Sequence, residues 1–163
     1  MSEQFDVVVL GMGPGGEVAA YRLLAAGRRV AVVERELIGG ECAYWACIPS
    51  KTLIEAAARV HAARCGFPGV APCEPAVDWR EVVRQKDALV GDLREAKYAD
   101  VLTSYPGVAR LEGRAWLLAS AGHGASDGAM CVRVGDGEAA REHLARKVIV
   151  ATGLAAALPP IPG

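Results

Sequence analysis

Aromatic residues are scarce in this 163-residue chain, at 6% of its composition, and histidine occurs only three times. No apolar run is long enough to cross a membrane, and the polar residues 1–4 lack the basic region of a signal peptide. A formal net charge of -1 argues against nucleic acid or an anionic membrane as the main partner. These absences predict a cytoplasmic protein, and the length is sufficient for one domain with a hydrophobic core.

Cysteine is also sparse, with five in the chain, and a reducing compartment makes structural disulfides unexpected among them. Cys65 and Cys73 have no partners in the sequence, so both are interpreted as incidental. The histidines, His61, His123 and His143, likewise have no neighbours in the sequence that suggest catalysis, and all three are predicted to lie on the surface.

The chain does contain a close cysteine pair, Cys42 and Cys47, preceded by Gly39 and Gly40 and followed by a Pro-Ser-Lys run that ends at Lys51. In a regular helix, residues five apart have Cα atoms roughly 8–9 Å apart, whereas a disulfide needs Cα atoms less than about 7 Å apart. An oxidised pair therefore predicts an irregular helix start, where a thiol near the N-terminus has a lowered pKa. Such a disulfide closes too short a loop to stabilise the fold much, which indicates a redox-active pair.

Two other interpretations of the cysteine pair are open. A zinc site usually needs four ligands, and no second pair of cysteine or histidine residues lies nearby at ligand spacing. Two inert buried thiols are the other alternative, since unpaired cysteine is often buried. Lys51 lies one turn beyond Cys47 and is either a solvated side chain or a cation near the thiolate.

A second motif lies near the N-terminus, where residues 11–16 form a G-x-G-x-x-G match. The apolar residues 5–10 before it predict a buried strand. Residues 17–26 predict a helix, and residues 30–33 predict a second strand that ends at Glu34. This order is typical of a dinucleotide-binding βαβ unit.

In such a unit the first glycine permits a tight turn, the second admits a pyrophosphate, and the third lets helix and strand pack closely. The phosphates lie at the helix N-terminus, and Glu34 is expected to accept hydrogen bonds from both ribose hydroxyls. The turn alone does not distinguish FAD from NAD. A packed βαβ unit without a ligand is the remaining alternative.

The rest of the chain predicts further helices at residues 52–64 and 79–102, the second with Asp78 as its N-cap. Strands are predicted at residues 107–119, 131–134 and 144–150, and their short turns suggest an antiparallel meander. The last strand runs into Ala151-Thr152-Gly153, small residues that let a ligand approach its carboxyl end.

The order of residues 11–16, Glu34, residues 39–51 and residues 151–153 resembles the class I pyridine nucleotide-disulfide oxidoreductases, flavoproteins that include dihydrolipoamide dehydrogenase and mercuric reductase. The pattern G-G-x-C-x-x-x-x-C-x-P-S-K carries most of this resemblance. It covers the whole chain but only the family's N-terminal domain, so residues 1–163 are expected to form one FAD-binding domain. The implied fold is α/β, a Rossmann-like three-layer domain with a parallel sheet and an antiparallel β-meander.

The resemblance implies a role for each matching residue. Cys42 would be the interchange thiol that meets the substrate, Cys47 the thiol beside the flavin, and Lys51 a neighbour of flavin N5; these three are the expected catalytic residues. No metal site is expected. Arg35 is expected either near the adenosine or facing water. The residues implied for FAD binding are Gly11, Gly13, Pro14, Gly15, Gly16, Glu34, Arg35, Gly40, Cys42, Lys51, Gly113, Ala115, Ala151, Thr152 and Gly153.

The implied activity is electron transfer between NAD(P)H, FAD and the cysteine pair, with a disulfide, a dithiol or a metal ion as substrate and a homodimer as the full-length form. The chain departs from the family pattern at Leu154 and between the cysteines, where Tyr44 and Trp45 are expected to reshape the substrate entrance. The family's nicotinamide domain and its C-terminal interface domain are expected to be missing, so the chain alone should bind FAD without turnover. A nucleotide-binding module without redox chemistry and an NAD-dependent dehydrogenase domain are the alternative functions.

Overall fold

The computed structural model describes residues 3–92, 102, 104–118, 128–154, 157 and 159–161. The strands in these residues are β1 Gln4–Leu10, β2 Val30–Glu34, β3 Val108–Glu112, β4 Ala115–Leu118, β5 Met130–Val134 and β6 Arg141–Val150. The helices are α1 Pro14–Ala25, α2 Gly40–Tyr44, α3 Cys47–Cys65 and α4 Trp79–Asp92, with a short 3-10 helix at Gly137–Ala139.

The strands form one mixed sheet in the order β3-β2-β1-β6-β5-β4. β1 pairs in parallel with β2 and β6, and β2 pairs in parallel with β3. β4 and β5 pair antiparallel, as do β5 and β6. β6 is ten residues long, so its first half belongs to the antiparallel meander and its second half to the parallel sheet.

The two faces of the parallel sheet are covered by different elements. Val9 of β1 packs with Leu24 of α1 in a cluster on one face. Its neighbour Val8 packs with Val132 of β5 in a second cluster on the other face. Side chains alternate along a strand, and an apolar run such as β1 therefore fills both cores. Helix α1, the parallel sheet and the meander form three layers, which confirms the predicted three-layer α/β fold.

The prediction of a single strand at residues 107–119 is wrong. Gly113 has a φ of 128° and lies between β3 and β4, which occupy opposite edges of the sheet. The Gly113 N–H donates to the Glu34 carbonyl (2.9 Å), and the Gly135 N–H donates to the Arg114 carbonyl (2.9 Å). The sheet therefore curves until its two edges meet at this corner, which places the meander over the parallel sheet.

Helix α3 begins at Cys47, in the segment where an irregular helix start is predicted, and includes the predicted helical residues 52–64. Pro49 lies in its first turn, where proline is tolerated. α3 packs against α4, and a cavity of about 340 Å³ lies between the two. No residue of α3 is fully buried within the described part of the chain. The α3–α4 pair therefore lies outside the two cores.

The predicted N-cap of α4 is present, since the Asp78 carboxylate accepts from the N–H groups of Arg80 (3.0 Å) and Glu81 (3.2 Å). Of the predicted continuation at residues 93–102, only Leu102 is described, and it is helical and buried. Across the described residues, no helix combines the length and the apolar character needed to span a bilayer.

His143 is buried, contrary to the prediction that it lies on the surface. Only 8% of the residue is exposed, and its ring packs on Phe5 with 5.9 Å between centroids. Its Nδ1 has no hydrogen-bond partner among the described residues. Burial lowers the pKa of this imidazole, and the nearby Glu3 carboxylate opposes the shift. His61 is exposed on α3, whereas His123 lies outside the described residues.

We expect the stability of the domain to fall as the pH drops below about 6.5, the ordinary pKa of histidine. The folded state holds His143 with a lowered pKa, so the unfolded chain binds more protons in this range and unfolding becomes more favourable. Between about pH 7.5 and about pH 5, the free energy of unfolding measured in urea should decrease less for His143→Phe than for the wild type. The exposed variant His61→Gln is the control and should show the same decrease as the wild type. Equal losses in His143→Phe and the wild type would contradict this assignment.

Candidate functional site

The glycine-rich turn lies where β1 ends and α1 begins. Gly11 has a φ of 91° and donates its N–H to the Val33 carbonyl (2.8 Å). A Cβ atom on Gly11 would lie closer than 3.0 Å to the Ala151 carbonyl oxygen. One on Gly16 would lie closer still to the Gly11 carbonyl oxygen. Both positions therefore need glycine for backbone packing, the second between helix and strand.

The glycines between these two face open space. A Cβ atom on Gly15 would meet no atom within 4 Å, and one on Gly13 would meet only the Gly40 Cα, at 4.0 Å. Pro14 is the first residue of α1, and the N–H groups of the first turn have no carbonyl partner within the helix. The turn therefore leaves room for an anionic group to approach unpaired donors at the positive end of the helix.

The carboxylate of Glu34, at the end of β2, is held against the glycine turn. Its Oε2 accepts from the Met12 N–H (2.8 Å), and its Oε1 accepts from the N–H groups of Arg35 (2.8 Å) and Glu36 (3.0 Å). The Arg35 guanidinium pairs with the exposed Glu36 carboxylate (3.0 Å). A carboxylate has about four acceptor positions, so about one remains for a ligand hydroxyl. Pairing with both ribose hydroxyls would require a shared oxygen or the displacement of one amide.

The segment that carries the cysteines packs directly on the glycine turn. The Gly39 N–H donates to the Met12 carbonyl (2.8 Å), and Gly40 has a φ of 61°. A Cβ atom on Gly40 would lie 2.6 Å from the Gly13 Cα. Two backbones thus meet without side chains between them, which brings α2 against the start of α1. The sequence pattern does not mark Met12, since it occupies a variable position of the motif, yet both of its backbone groups hold the site together.

Cys42 lies in α2, and Cys47 is the first residue of α3. The N–H groups of Trp45 (2.9 Å) and Ala46 (2.8 Å) both donate to the Glu41 carbonyl, which ends α2 before α3 starts. This interruption corresponds to the irregular helix start predicted from the cysteine spacing. It brings the two half-buried thiols close enough for Cys47 to shift the pKa of Cys42.

The pKa of the Cys42 thiol is raised from its ordinary value, chiefly because the thiol hydrogen-bonds to Cys47 and secondly because it is partly desolvated. The charge of Lys51 acts in the opposite direction, as does a hydrogen bond from the Cys47 N–H. The expectation of a lowered thiol pKa is therefore wrong for Cys42 in the dithiol state. Lys51 nevertheless lies close enough to favour the Cys42 thiolate.

The residues after β6 run beside the glycine turn. The Ala151 N–H donates to the Leu10 carbonyl at the end of β1 (2.8 Å), and Thr152 and Gly153 follow it into solvent. β1 and β6 are neighbouring parallel strands, so this is the carboxyl edge of the sheet, where ligands of open α/β sheets bind.

Gly113 and Ala115 lie at the sheet corner on the other side of β2. Gly113 is bonded to the Glu34 carbonyl, and it therefore shares the carboxyl end of β2 with the Glu34 side chain. Ala115 begins β4 and packs, partly buried, against the second core. The predicted glycines of the turn, Glu34, Gly113 and residues 151–153 thus lie at the ends of β1, β2 and β6, with the thiols in the α2–α3 segment beside them, whereas Ala115 packs on the second core.

The sequence profile of the family described as pyridine nucleotide-disulphide oxidoreductase matches residues 5–163. Relatives include the mercuric reductase of Streptomyces lividans, 36% identical over 162 residues, and the dihydrolipoyl dehydrogenase of Acholeplasma laidlawii, 34% identical over 165 residues. These alignments cover 98% and 100% of this chain but 32% and 45% of the two relatives. The chain therefore spans less than half the length of either relative.

Solved structures share the fold. The Cu(II) complex of the HOCl-induced flavoprotein disulfide reductase RclA from Escherichia coli matches with a TM-score of 0.71 at 28% identity, over 100% of this chain and 31% of that one. LpdA from Mycobacterium tuberculosis matches with a TM-score of 0.74 over 97% of this chain and 33% of that one, and at 24% identity it supports the fold alone. The predicted resemblance is confirmed: this chain belongs to the pyridine nucleotide-disulphide oxidoreductase family, whose members are FAD-binding, NAD(P)H-dependent flavoenzymes.

Proposed function

We propose that residues 1–163 form the FAD-binding domain of an NAD(P)H-dependent disulfide oxidoreductase similar to dihydrolipoyl dehydrogenase or mercuric reductase. Cys42 and Cys47 are its redox-active pair. One observation carries this proposal: Gly40, two residues before Cys42, packs on Gly13 of the glycine turn. A cofactor held on that turn therefore has the dithiol segment as its neighbour.

The groove at the ends of β1, β2 and β6 fits a ligand with a pyrophosphate and a ribose. The open first turn of α1, at Gly13 and Gly15, would hold the phosphates. Glu34 would accept a ribose hydroxyl at its remaining acceptor position. When bound, FAD supplies a ring that takes up and returns two electrons. The other residues proposed to line it are Gly11, Pro14, Gly16, Arg35, Gly40, Gly113, Ala115, Ala151, Thr152 and Gly153.

The protein's own redox chemistry would take place at the dithiol. When Cys42 and Cys47 join as a disulfide they give up two electrons and two protons, and the reverse reaction restores both thiols. Cys42 would exchange with the substrate and Cys47 would face the flavin. Lys51 would stabilise the thiolate that forms, since its charge already favours ionised Cys42.

The activity of the whole protein is proposed from similarity, because the chain covers only 32% and 45% of two relatives. We expect NAD(P)H as the electron donor, a disulfide, a dithiol or a metal ion as the substrate, a homodimer as the assembly, and the cytoplasm as the location. The half-buried position of both thiols is compatible with a small molecule or a protein-bound disulfide reaching the pair.

Titration of the flavin-loaded protein with dithionite tests the proposal. After two electrons the wild type should develop a long-wavelength absorbance band, which a thiolate beside an oxidised flavin produces. Cys42→Ser should show the band without reductant, because Cys47 then has no disulfide partner, and Cys47→Ser should lack it. Cys65→Ser, at an exposed position at the end of α3, is the matched control and should behave as the wild type.

Each failure of this titration has a different meaning. A flavin-loaded wild type that lacks the band would overturn the redox role and leave a nucleotide-binding module. A protein that binds NAD but takes up no FAD would instead indicate a dehydrogenase domain.

A further inference from the structure

Trp45 lies between Cys42 and Cys47 in the sequence, and its large apolar side chain is exposed to solvent. It is 56% exposed and lies at the break between α2 and α3. It follows Cys42 by three residues, a spacing that places two side chains on the same side of a helical turn. Tryptophan is enriched at protein interfaces and among the residues that dominate binding energy, because an indole offers a large contact surface.

The contacts around Trp45 hold it in place. Its backbone N–H donates to the Glu41 carbonyl (2.9 Å), and its indole ring packs on the Tyr44 ring, with 5.6 Å between centroids and an interplanar angle of 57°. The Tyr44 hydroxyl in turn donates to the Ile38 carbonyl (2.9 Å). The exposed indole is therefore supported by a fixed inner ring, so a ligand that binds it orders few additional groups.

We propose that Trp45 is a specificity-determining residue of the dithiol site, which binds a planar or apolar group attached to the disulfide that Cys42 attacks. This inference rests on the proposed function and adds a substrate class to it, namely disulfides that carry an aromatic or apolar group near the sulfurs. Planar groups are favoured because aromatic rings in offset or edge-to-face contact gain more than their buried area alone provides.

The proposed reaction is thiol–disulfide exchange in two steps. The Cys42 thiolate attacks one sulfur of R–S–S–R, the mixed disulfide Cys42-S–S–R forms, the substrate S–S bond breaks, and the leaving R–S⁻ takes up the proton that Cys42 lost. The Cys47 thiolate then attacks the Cys42 sulfur, the mixed disulfide bond breaks as the Cys42–Cys47 disulfide forms, and the second R–S⁻ leaves with the proton that Cys47 lost. Two protein thiols are oxidised and one substrate disulfide is reduced, with no further reactant.

Single-turnover oxidation of the reduced full chain tests the role of Trp45. The two probes are 4,4'-dithiodipyridine, which is aromatic, and bis(2-hydroxyethyl) disulfide, which is aliphatic. The measurement is the second-order rate of Cys42–Cys47 disulfide formation, followed by mass spectrometry of alkylated, quenched samples. Each variant is compared with the wild type for the same probe, so the intrinsic reactivity of the probe cancels.

We expect Trp45→Ala to slow the aromatic probe about tenfold, the size of one good aromatic contact, and to change the aliphatic probe by less than about twofold. Trp45→Phe should retain most of the aromatic rate. Trp79→Ala is the matched control, since Trp79 is another exposed tryptophan at 61% and begins α4; neither probe should be affected.

Two results would overturn the proposal. Equal slowing of both probes in Trp45→Ala would mean that the indole supports the helix break rather than the substrate, and unchanged rates would mean that it contacts no substrate. A wild-type chain whose Cys42 and Cys47 form no disulfide with either probe would instead count against the proposed function. Circular dichroism shows whether each variant folds. If Trp45→Ala does not fold, the rates of Trp45→Phe with the two probes are compared with those of the wild type instead.

Discussion

Gly16→Ala is expected to lower the free energy of unfolding by at least about 3 kcal/mol, which is the upper part of the range for inserting a methyl group into a packed site. The new Cβ atom would lie closer than 3.0 Å to the Gly11 carbonyl oxygen. The carbonyl belongs to the backbone and the position of a Cβ atom is fixed by its own backbone, so no side-chain rotation relieves the clash and α1 must move away from β1. For a domain of this size, the melting temperature should fall by roughly 6–12 °C.

Gly15→Ala is the matched control for this prediction, because it adds the same methyl group one residue earlier in the same helical turn. A Cβ atom there meets nothing within 4 Å, so the stability should stay unchanged or rise by up to about 1 kcal/mol, the helix preference of alanine over glycine. The methyl group would, however, occupy the space proposed for the phosphates and should weaken FAD binding. Urea unfolding and FAD titration measure the two effects. Equal destabilisation by both variants would contradict the close helix–strand packing at Gly16.

The βαβ unit could be predicted from the sequence because its signals are local. Each element of this unit has its own local signal: an apolar run for β1, glycines for the turn and an apolar run for β2. They follow one another along the chain with α1 between the strands, which is the order of a dinucleotide-binding unit. The corner at Gly113 could not be predicted in the same way. Nothing within residues 107–119 indicates that β3 pairs with β2 while β4 pairs with β5, since that choice depends on partners distant in sequence.

The same distinction applies to the candidate site. The break between α2 and α3 is what an oxidised Cys42–Cys47 pair would require, because a regular helix holds the Cα atoms of residues five apart beyond disulfide distance. The three amides that occupy the Glu34 carboxylate have no signal in the sequence, because backbone groups are the same at every residue. The burial of His143 could not be predicted for a related reason. Histidine is a polar residue that is expected on the surface at a strand start, and its inward position depends on the contact with Phe5, which is distant in sequence.

Gly40→Ala is expected to separate the dithiol segment from the cofactor groove. The Cβ atom would lie 2.6 Å from the Gly13 Cα, and alanine would also have to adopt the φ of 61°, which costs an L-residue roughly 1–2 kcal/mol. Together these effects should lower the free energy of unfolding by about 2–5 kcal/mol. Because α2 must move away from the start of α1, flavin-loaded Gly40→Ala should also lose most of the thiolate–flavin absorbance band, while its thiols remain titratable.

Gly27→Ala separates the backbone strain from the loss of contact. Gly27 has a φ of 70°, and a Cβ atom there would meet nothing within 4 Å, so this variant carries the left-handed strain without a clash. It should lose only about 1–2 kcal/mol and keep the absorbance band. The difference between the two variants therefore measures the contact of Gly40 with Gly13, the contact on which the proposed function depends. If Gly40→Ala behaved as Gly27→Ala does in both urea unfolding and absorbance, the dithiol segment would not need the glycine turn for its position, and the proximity of cofactor and thiols would have to arise from another part of the molecule.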